Sequence, residues 1–471
     1  MKKARNTKII ATLGPSSSSK KIIETLFTQG VDVFRLNLSH GTHEIHKANY
    51  TFIREIEQKY NTPIGVLLDL QGPKLRIGSF QSGAITLKEG EPFQLRLDEA
   101  IGEQTGVTLP HPEIFKALIP NTILSLDDGK IQLKVKTCQK NIIETIVKVG
   151  GVLSDKKGVN IPGIQLPIRA ITDKDKKDIE FGLSLGVDYI GLSFVQCKED
   201  IEDARRLVHR KASLLAKIEK PMAIRNLHSI VEAADGVLIA RGDLGVEMLP
   251  EEVPAAQKHM THVCREMGKP VIVATHMLES MLANTTPTRA EVSDVANAVY
   301  DGVDSVMLSS ETASGLHPID SVRMMDRIIR HVEKDPSYFL GLQAKAPMPE
   351  ATLSDAITTA AVKSASTIGA AAILSFTASG RTSLRVSRER PFSPIIGVTP
   401  YEFVARRLSL VWGVHPIIEQ TIKTYAHMIQ AAPEIAQQLK LAKKGSFLVI
   451  TAGEPLGIAG GTNVLRVIEV D

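Results

Sequence analysis

Three ionisable residues follow short apolar segments at points where a parallel sheet would bring them together. Lys217 and Glu219 close the segment SLLAKIE, and Asp243 follows GVLIARG. Apolar residues at helical spacing lie between these segments, which predicts two parallel strands joined by one crossover helix. The ionisable residues at both strand ends would then lie at the carboxyl edge of the sheet, where α/β folds bind ligands. An ammonium and two carboxylates suit a divalent metal and a phosphoryl group, and strand-end salt bridges at a surface are an equally compatible interpretation.

The strand pattern predicts a (β/α)8 TIM barrel. Three strand segments precede a change of pattern near Pro73, and five follow it with helical segments between them. Eight βα units close a barrel, and residues 1–72 and 166–340 together have the length typical of that fold. Thr172 and Thr288 each begin a capping-box pattern at the start of a predicted helix. An open doubly wound sheet is the alternative.

Residues 73–165 show a different pattern, with short alternating segments and no amphipathic helix. Ile131, Leu133 and Val135 alternate with polar residues after an Asp128-Gly129 turn. The pattern predicts an all-β domain that is inserted in the third βα loop and hangs over the catalytic face. We call residues 73–165 the lid.

Residues 341–471 predict a C-terminal α/β domain. A polar, proline-containing stretch near 344–349 marks its start, and helices alternate with strands beyond it. About 120 residues is an ordinary domain size.

Composition excludes several classes of protein. Among 471 residues, 43% are hydrophobic, and no apolar run is long enough to span a bilayer. No secretory signal is recognisable, so we expect a cytoplasmic protein. Three scattered cysteines disfavour a disulfide framework and a zinc site. A net charge of +4 and 4% aromatic residues disfavour nucleic-acid binding.

The predicted barrel mouth is crowded with polar side chains. The strand ends contribute Arg35, Asn37, Ser39, His40, Asp69, Lys217, Glu219, Asp243, Thr275, Ser309 and Glu311. Carboxylates mixed with Arg and Lys favour a phosphorylated, anionic substrate on a magnesium-like ion, because hard cations select oxygen ligands. The absence of GxxxxGK[ST] disfavours a P-loop nucleotidase.

Nine segments resemble the signature segments of pyruvate kinase, in that family's order. They are TKIIATLGPSS, FRLNLSHGTHEIH, LLDLQGPKLRIG, SDKKGVNIPG, AKIEK, ARGDLGVE, ATHMLESM, TPTRAEVSDVANAV and MLSSETASG. The resemblance implies a (β/α)8 barrel, a mobile β lid and a C-terminal regulatory domain. It also implies a homotetramer that transfers the phosphoryl group of phosphoenolpyruvate to ADP, giving pyruvate and ATP, with Mg²⁺ or Mn²⁺.

The same resemblance assigns roles on the phosphoryl side of the site. Glu219 and Asp243 match magnesium ligands. Lys217 matches the lysine that stabilises charge on the transferring group, and a purely structural ion pair with Glu219 is the alternative. Arg35 matches the arginine that binds the substrate phosphate, a role suited to the donor geometry of guanidinium.

Further matches concern the rest of the substrate. Gly242 and Asp243 would present backbone N–H groups to the substrate carboxylate. Thr275 and Ser309 match hydroxyls near the enolate carbon, where a proton must be delivered, and either could instead be an ordinary strand-end hydrogen bond. His276 stands where the family more often has glutamine, and Ser310 stands where it often has glycine.

Four matches lie on the nucleotide side: Asn37, His40, Arg76 and Lys157. The last two belong to the lid, so its closure would bring them in and exclude water.

The family's potassium positions match Asn37, Ser39, Asp69 and Leu70. Leu70 lacks the hydroxyl of the threonine in potassium-dependent relatives, and Lys74 stands where those relatives carry glutamate. Two neighbours, Gln71 and Ile77, also match the potassium-independent group. A fixed ammonium would supply the charge that potassium otherwise brings, so we expect no potassium requirement. A solvated hinge residue is the alternative role for Lys74.

The loop TASGRT in the C-terminal domain resembles the family's effector loop. Its candidate residues are Thr377, Ser379, Gly380, Arg381 and Thr382, and a sugar phosphate or nucleotide monophosphate is the expected effector. An ordinary βα loop is the alternative. Ala378 replaces a lysine of some relatives, and GEPLGIAGGTN lacks the tryptophan and arginine that help bind fructose 1,6-bisphosphate in animal forms. We therefore expect a different effector.

Two other functions are compatible with part of the pattern. A barrel lyase or aldolase that acts on a pyruvate enolate would use the same carboxylates, but it would need no counterpart of Arg76 and Lys157. A catalytically silent metabolite-binding regulator would not need every charged site position, and all of them are present.

Overall fold

The structure is a computed structural model that describes residues 5–164, 169–457 and 461–471. The chain begins with β1 (Lys8–Leu13), α1 (Lys20–Gln29), β2 (Val33–Asn37), α2 (His43–Tyr60) and β3 (Gly65–Asp69). Ser19 caps α1 by accepting a hydrogen bond from the Ile22 N–H, and Gly30 ends this helix with a φ of 131°. Serine and glycine thus start and stop the first crossover helix, as the sequence predicts.

The lid follows β3 and consists mainly of strands. They are β4 (Ala84–Leu87), β5 (Pro92–Arg96), β6 (Gly106–Thr108), β7 (Ile123–Leu126), β8 (Ile131–Cys138), β9 (Ile142–Val149), β10 (Gly151–Ser154) and β11 (Val159–Asn160). Six form a sheet in the order β11-β7-β8-β9-β5-β6, and β10 pairs with β4. The sequence predicts no helix here, but Pro112–Ala117 forms a short one, α3. Proline suits the first helical turn, and six residues are too few to show helical periodicity.

The remaining barrel units follow the lid. They comprise α4 (Asp173–Leu185), β12 (Tyr189–Leu192), α5 (Lys198–Val208), β13 (Ser213–Ile218), α6 (Pro221–Arg225), α7 (Leu227–Ala233), β14 (Gly236–Ala240), α8 (Arg241–Glu247), α9 (Val253–Glu266), β15 (Val271–Ala274), α10 (Arg289–Tyr300), β16 (Ser305–Leu308), α11 (Ser310–Ala313), α12 (Pro318–Val332) and α13 (Pro336–Ala344). Both predicted capping boxes, at Thr172 and Thr288, are present. The single crossover helix predicted between β13 and β14 is two short helices, because the backbone leaves the helical conformation at Asn226.

Eight parallel strands close into a barrel in the order β1-β16-β15-β14-β13-β12-β3-β2. The ring closes where Lys8 of β1 pairs with Ser305 of β16, so the open sheet is excluded. Alternate strand residues fill the interior with an apolar cluster that includes Ile10, Val33, Leu67, Leu215, Leu238, Ile272 and Met307. Leu410 of the C-terminal domain belongs to the same cluster. A packed interior places the polar chemistry at the strand ends.

The C-terminal part is a second α/β layer structure. It contains α14 (Leu353–Ile368), β17 (Ala372–Phe376), α15 (Arg381–Arg388), β18 (Ile395–Thr399), α16 (Glu402–Leu408), β19 (Val414–Ile418), α17 (Tyr425–Gln438), β20 (Phe447–Gly453) and β21 (Thr462–Glu469). The sheet order is β19-β18-β17-β20-β21, and only β21 is antiparallel to its neighbour.

A buried contact joins the barrel to the C-terminal part. Arg390 Nη2 lies 3.1 Å from Asp304 Oδ2, and the backbone N–H of Trp412 donates to Asp304 Oδ1 at 3.1 Å. The indole N–H of Trp412 donates to Tyr338 Oη at 2.9 Å. Trp412, the single tryptophan of the chain, is fully buried there.

The predicted domain limits stay predictions. α13 crosses the 340/341 limit, and its residues Tyr338 and Leu342 pack in the barrel core. The 165/166 limit lies outside the described residues. All three cysteines are free. No helix in the described ranges is long and apolar enough to cross a membrane.

Candidate active site

A layer of polar side chains lies above the apolar interior of the barrel. Successive side chains of a strand point to opposite faces, so Lys217 faces inward with Leu215, and Asp69 faces inward with Leu67. The same alternation applies to β1 and β2, which contribute Thr12 and Arg35. The period of two therefore gathers these polar side chains at the carboxyl end of the barrel.

Lys217 is the centre of this layer. Its Nζ lies 2.9 Å from Glu219 Oε1 and 3.2 Å from Asp69 Oδ1, and it donates to Ser193 Oγ at 2.7 Å. Arg35 Nε donates to the second oxygen of Asp69, Oδ2, at 2.6 Å. The ion pair of Lys217 with Glu219 is thus one contact of a larger cluster that contains two cations and two carboxylates.

Charge and burial together set the protonation of this cluster. Burial alone would lower the pKa of Lys217, but the carboxylates of Asp69 and Glu219 outweigh it and raise the pKa. For Asp69, burial opposes ionisation, yet Lys217 and Arg35 hold its pKa below the usual value. Lys217 is therefore an ammonium at neutral pH and can stabilise negative charge on a bound group.

Glu219 and Asp243 form the candidate metal pair. Glu219 is 1% exposed and accepts a hydrogen bond from the Phe194 N–H at 2.8 Å. Burial raises the pKa of Glu219, and the nearby negative charge of Asp243 adds to this shift. Among the described residues, no group of three or more His, Cys, Asp or Glu could hold a metal ion. Two carboxylates suit Mg²⁺, which commonly completes its coordination with water and substrate oxygens.

The end of β15 carries two consecutive residues in the left-handed region. Thr275 has a φ of 69° and His276 a φ of 54°, a conformation that costs free energy in residues with a Cβ. The turn brings Thr275 Oγ1 within 2.7 Å of the Gly242 N–H, which donates to it. A substrate carboxylate that used the Gly242 N–H would replace this hydrogen bond.

A buried carboxylate supports the turn that carries Ser309. Glu311 Oε2 accepts from the Ser309 N–H at 2.7 Å, and Glu311 Oε1 accepts from the Leu278 N–H at 3.1 Å. Burial raises the pKa of Glu311. Ser309 Oγ is buried and has no hydrogen-bond partner among the described residues. That hydroxyl is therefore free to serve a bound molecule.

The nucleotide-side candidates fall into two groups. Burial lowers the pKa of His40, and the positive charges of Arg76, Lys74 and Arg35 lower it further. Lys157 instead pairs with Asp127 inside the lid at 2.8 Å. Arg76 Nη1 donates to the Lys156 carbonyl at 2.8 Å, so both lid candidates make contacts within the lid, and Arg76 also contributes positive charge at His40.

The family's potassium positions lie in segments that are joined by hydrogen bonds. Asn37 Oδ1 accepts from the Ser39 N–H at 3.2 Å, and Leu38 N–H donates to the Asp69 carbonyl at 2.9 Å. The Leu70 side chain is buried, and its carbonyl accepts from Ser193 Oγ at 2.7 Å. Lys74 lines a cleft of about 30 Å³ between lid and barrel, together with Lys220 and Asp243.

The predicted effector loop borders a cavity of about 310 Å³ in the C-terminal part. Thr377, Ser379, Arg381 and Thr382 line it, and Lys423 lies opposite. Gly380 has a φ of 86°, and its N–H donates to Thr377 Oγ1 at 2.9 Å. The glycine thus allows the sharp turn into α15. Residues 458–460 of the predicted GEPLGIAGGTN segment lie outside the described residues.

Several supporting residues are not singled out by sequence reasoning. Ser193 bonds Lys217, and Thr12 Oγ1 accepts from Arg35 at 3.1 Å. Arg241 donates to the Thr275 carbonyl at 2.8 Å and pairs with Asp294 at 2.7 Å. The alternation within TKIIATL and VDYIGLSF could have indicated Thr12 and Ser193. The contacts of Arg241 depend on the shape of the turn, which no local pattern shows.

A closed parallel barrel with buried cations and carboxylates at its carboxyl end defines a barrel enzyme that acts on an anionic substrate. The family model "Pyruvate kinase, barrel domain" matches residues 4–322, and "Pyruvate kinase, alpha/beta domain" matches residues 355–468. The chain is 46% identical over 467 residues to the pyruvate kinase of Methylorubrum extorquens, covering 99% of this chain and 98% of that protein. It is 41% identical over 469 residues to the pyruvate kinase of Geobacillus stearothermophilus, covering 98% of this chain and 80% of that protein.

The chain belongs to the pyruvate kinase family. It is a phosphotransferase, and its function is the transfer of the phosphoryl group of phosphoenolpyruvate to ADP, giving pyruvate and ATP.

Proposed function

We propose that this transfer takes place at the cluster around Lys217. Arg35 and Lys217 bind the oxygens of the transferring phosphoryl group, and Lys217 neutralises the charge that develops there. The phosphorus–oxygen bond to the enol oxygen breaks, and a bond to a terminal oxygen of ADP forms. Phosphoryl transfer depends mostly on positioning and charge stabilisation, which buried Lys217 and partly buried Arg35 supply. The hydrogen-bonded position of Lys217 between two carboxylates is the observation that carries the proposal.

The enolate that remains must then gain a proton on carbon. We assign Thr275 and Ser309 to this step, with Gly242 and Asp243 binding the substrate carboxylate through backbone N–H groups. The strained turn at Thr275 and the unpartnered Ser309 hydroxyl support the assignment.

Glu219 and Asp243 would hold Mg²⁺ or Mn²⁺. The ion would supply positive charge that stabilises the phosphoryl and carboxylate oxygens of the substrate. The burial of Glu219 at the carboxyl end of the barrel supports this proposal, and the negative charge of Asp243 contributes to its raised pKa after burial.

A coupled assay tests the proposed reaction. Purified protein with phosphoenolpyruvate, ADP and Mg²⁺ is expected to form pyruvate and ATP in equal amounts. Pyruvate without a need for ADP would instead indicate a lyase, and no turnover would indicate a silent regulator. Chelation of the metal should abolish turnover, and added Mg²⁺ should restore it.

We further propose that the enzyme needs no potassium, because Lys74 supplies a fixed positive charge beside the reacting groups. Its position in the cleft that Asp243 also lines, and its effect on the pKa of His40, support this role. Asn37 and His40, with Arg76 and Lys157, would bind the nucleotide.

The potassium test compares turnover in a sodium-free tetramethylammonium buffer before and after adding potassium chloride. The unmodified enzyme should change little, and Lys74→Glu should acquire a requirement for potassium. A large activation of the unmodified enzyme by potassium would contradict the proposal.

The cavity beside the TASGRT loop is our candidate effector site. Its volume falls in the range of small-molecule pockets, and Arg381 and Lys423 suit the phosphate of a sugar phosphate or nucleotide monophosphate. We expect calorimetry to detect binding of a sugar phosphate or a nucleotide monophosphate, and Arg381→Ala to weaken that binding. Saturable activation by micromolar fructose 1,6-bisphosphate would contradict the choice of effector.

We also propose that the protein is a homotetramer and that it is located in the cytoplasm. Light scattering on the purified protein tests the subunit number, and cell fractionation tests the location.

A further inference from the structure

A second buried carboxylate lies beside the candidate metal pair and has no role in the proposed reaction. Glu247 is the last residue of α8 and is 4% exposed. Its Oε1 accepts from Asn160 Nδ2 at 2.8 Å and lies 2.7 Å from Lys220 Nζ. A buried carboxylate needs such donors to compensate for lost water.

The two donors come from different parts of the molecule. Asn160 ends β11 at the edge of the lid, whereas Lys220 directly follows Glu219 in the barrel. Lys220 Nζ also lies 6.0 Å from the centroid of the Phe194 ring, and the Phe194 N–H bonds Glu219. One carboxylate oxygen therefore joins the lid to the segment that carries the first metal ligand.

The same residue is also linked to the second metal ligand. Asp243 and Glu247 are four residues apart in α8, so they lie on one face of that helix, one turn apart. Asn160, Lys220 and Asp243 all line the narrow cleft between lid and barrel. Glu247 thus lies where the lid meets the helix that carries Asp243.

We propose that Glu247 is a positioning residue that fixes the lid over the metal carboxylates through Asn160 and Lys220. It touches no substrate, and it determines how much of the enzyme has the lid in the nucleotide-binding position. Arg76 and Lys157 lie on the lid, so the apparent affinity for ADP is proportional to the fraction of enzyme in which the lid is closed. This inference rests on the proposed nucleotide roles of these two lid residues.

Kinetics of matched variants test the proposal. Glu247→Gln keeps the size of the side chain and removes its charge, and Asn160→Ala removes the lid donor. Each should raise the KM for ADP between about 3-fold and 30-fold, which lies within the range of coupling between contacting residues. The KM for phosphoenolpyruvate should change by less than about 2-fold. Exposed residues provide the controls: Glu251→Gln beside α8 and Asn141→Ala in the lid should leave both constants unchanged.

The double variant separates this contact from general damage. The amide oxygen of Glu247→Gln can still accept from Asn160, so Glu247→Ala, which removes the acceptor, is used here. Because Glu247→Ala and Asn160→Ala break the same hydrogen bond, their combination should be no worse than Glu247→Ala alone. If the increases in the KM for ADP multiply in the double variant, the proposal is wrong. Equal increases in the KM values for ADP and phosphoenolpyruvate would also overturn it.

Hydrogen exchange followed by mass spectrometry provides a measurement that needs no turnover. Amides of residues 155–164 should exchange several-fold faster in Glu247→Gln, while those of the barrel strands stay protected. Unchanged exchange in both Glu247→Gln and Asn160→Ala would overturn the positioning role of Glu247, even in a fully active enzyme. If Glu247→Gln does not fold, Asn160→Ala alone decides. If the unmodified enzyme shows no turnover, the proposed function is wrong. The exchange result then decides whether the contact of Glu247 with Asn160 holds the lid.

Discussion

Lys217 is held by three side chains, so removing its charge changes the chemistry more than the backbone. We expect Lys217→Met to lose at least about 100-fold in phosphoryl transfer, the effect of removing one preorganised charge stabiliser. Arg35 still pairs with Asp69 in this variant, so the fold and metal binding should persist. Single-turnover kinetics together with circular dichroism measure the two effects. Near-normal turnover by a folded variant would contradict the role of Lys217.

His40 provides a test of pH dependence. Burial and the neighbouring cations lower its pKa, so its imidazole is neutral above its ordinary value of about 6.5. Protonation occurs only at a lower pH, where a positive charge would join three others. We expect His40→Gln and the unmodified enzyme to show the same pH profile of kcat between pH 6.5 and 8. A fall in kcat towards pH 6.5 that disappears in His40→Gln would show that the pKa of His40 is raised and not lowered.

At the scale of single residues, the site side chains that lie at the ends of strands could be predicted from the sequence. Lys217, Glu219 and Asp69 could be placed together because parallel strands end at one edge and side chains alternate. The hydrogen bond from Gly242 to Thr275 could not be predicted. It requires two consecutive non-glycine residues in the left-handed region, and no propensity favours that conformation.

The connection from β3 to the lid turns at Gly72, where added bulk would disturb the site. Gly72 has a φ of 66°, and a Cβ there would lie 2.8 Å from the Cβ of Ser193, the partner of Lys217. We expect Gly72→Ala to lower kcat between about 10-fold and 100-fold, because displacements near 1 Å have effects of this size.

Gly83→Ala is the matched control for that change. Gly83 also has a positive φ, 75°, but a Cβ there would meet nothing within 4 Å. Both variants should lose about 1–2 kcal/mol of stability from backbone strain, measured by thermal unfolding. Equal kcat values for the two variants would show that strain alone, and not the contact with Ser193, matters.

At the scale of elements, long periodic segments were predictable and short ones were not. The capped helices α4 and α10 start at the predicted threonines. The helices α3, α6 and α7 have six, five and seven residues, too few for a clear helical period. α17 contains Pro433, which disfavours a helix interior, and the packing of its apolar residues in the C-terminal core stabilises this helix.

The whole molecule is joined at a buried ion pair that a single tryptophan can report. Arg390→Leu leaves Asp304 buried without its cation, so we expect a loss of about 3–5 kcal/mol. The exposed pair of Arg206 with Asp203 gives the control, and Arg206→Leu should cost less than about 1 kcal/mol. Urea unfolding followed by Trp412 fluorescence measures both. Similar midpoints for the two variants would exclude a stabilising role for the buried pair.

The ring closure between Lys8 and Ser305 also constrains the order in which a growing chain can fold. β1 has no second neighbour until β16 has been synthesised, whereas every strand of the lid finds its partners within residues 84–160. Contacts between residues close in sequence form sooner, because they require less loop closure. On the ribosome, the lid can therefore fold while the barrel is still an open sheet with exposed edges. The nascent chain carries those unpaired edges until the last barrel strand emerges, and this period is when it is most exposed to aggregation and most in need of a chaperone.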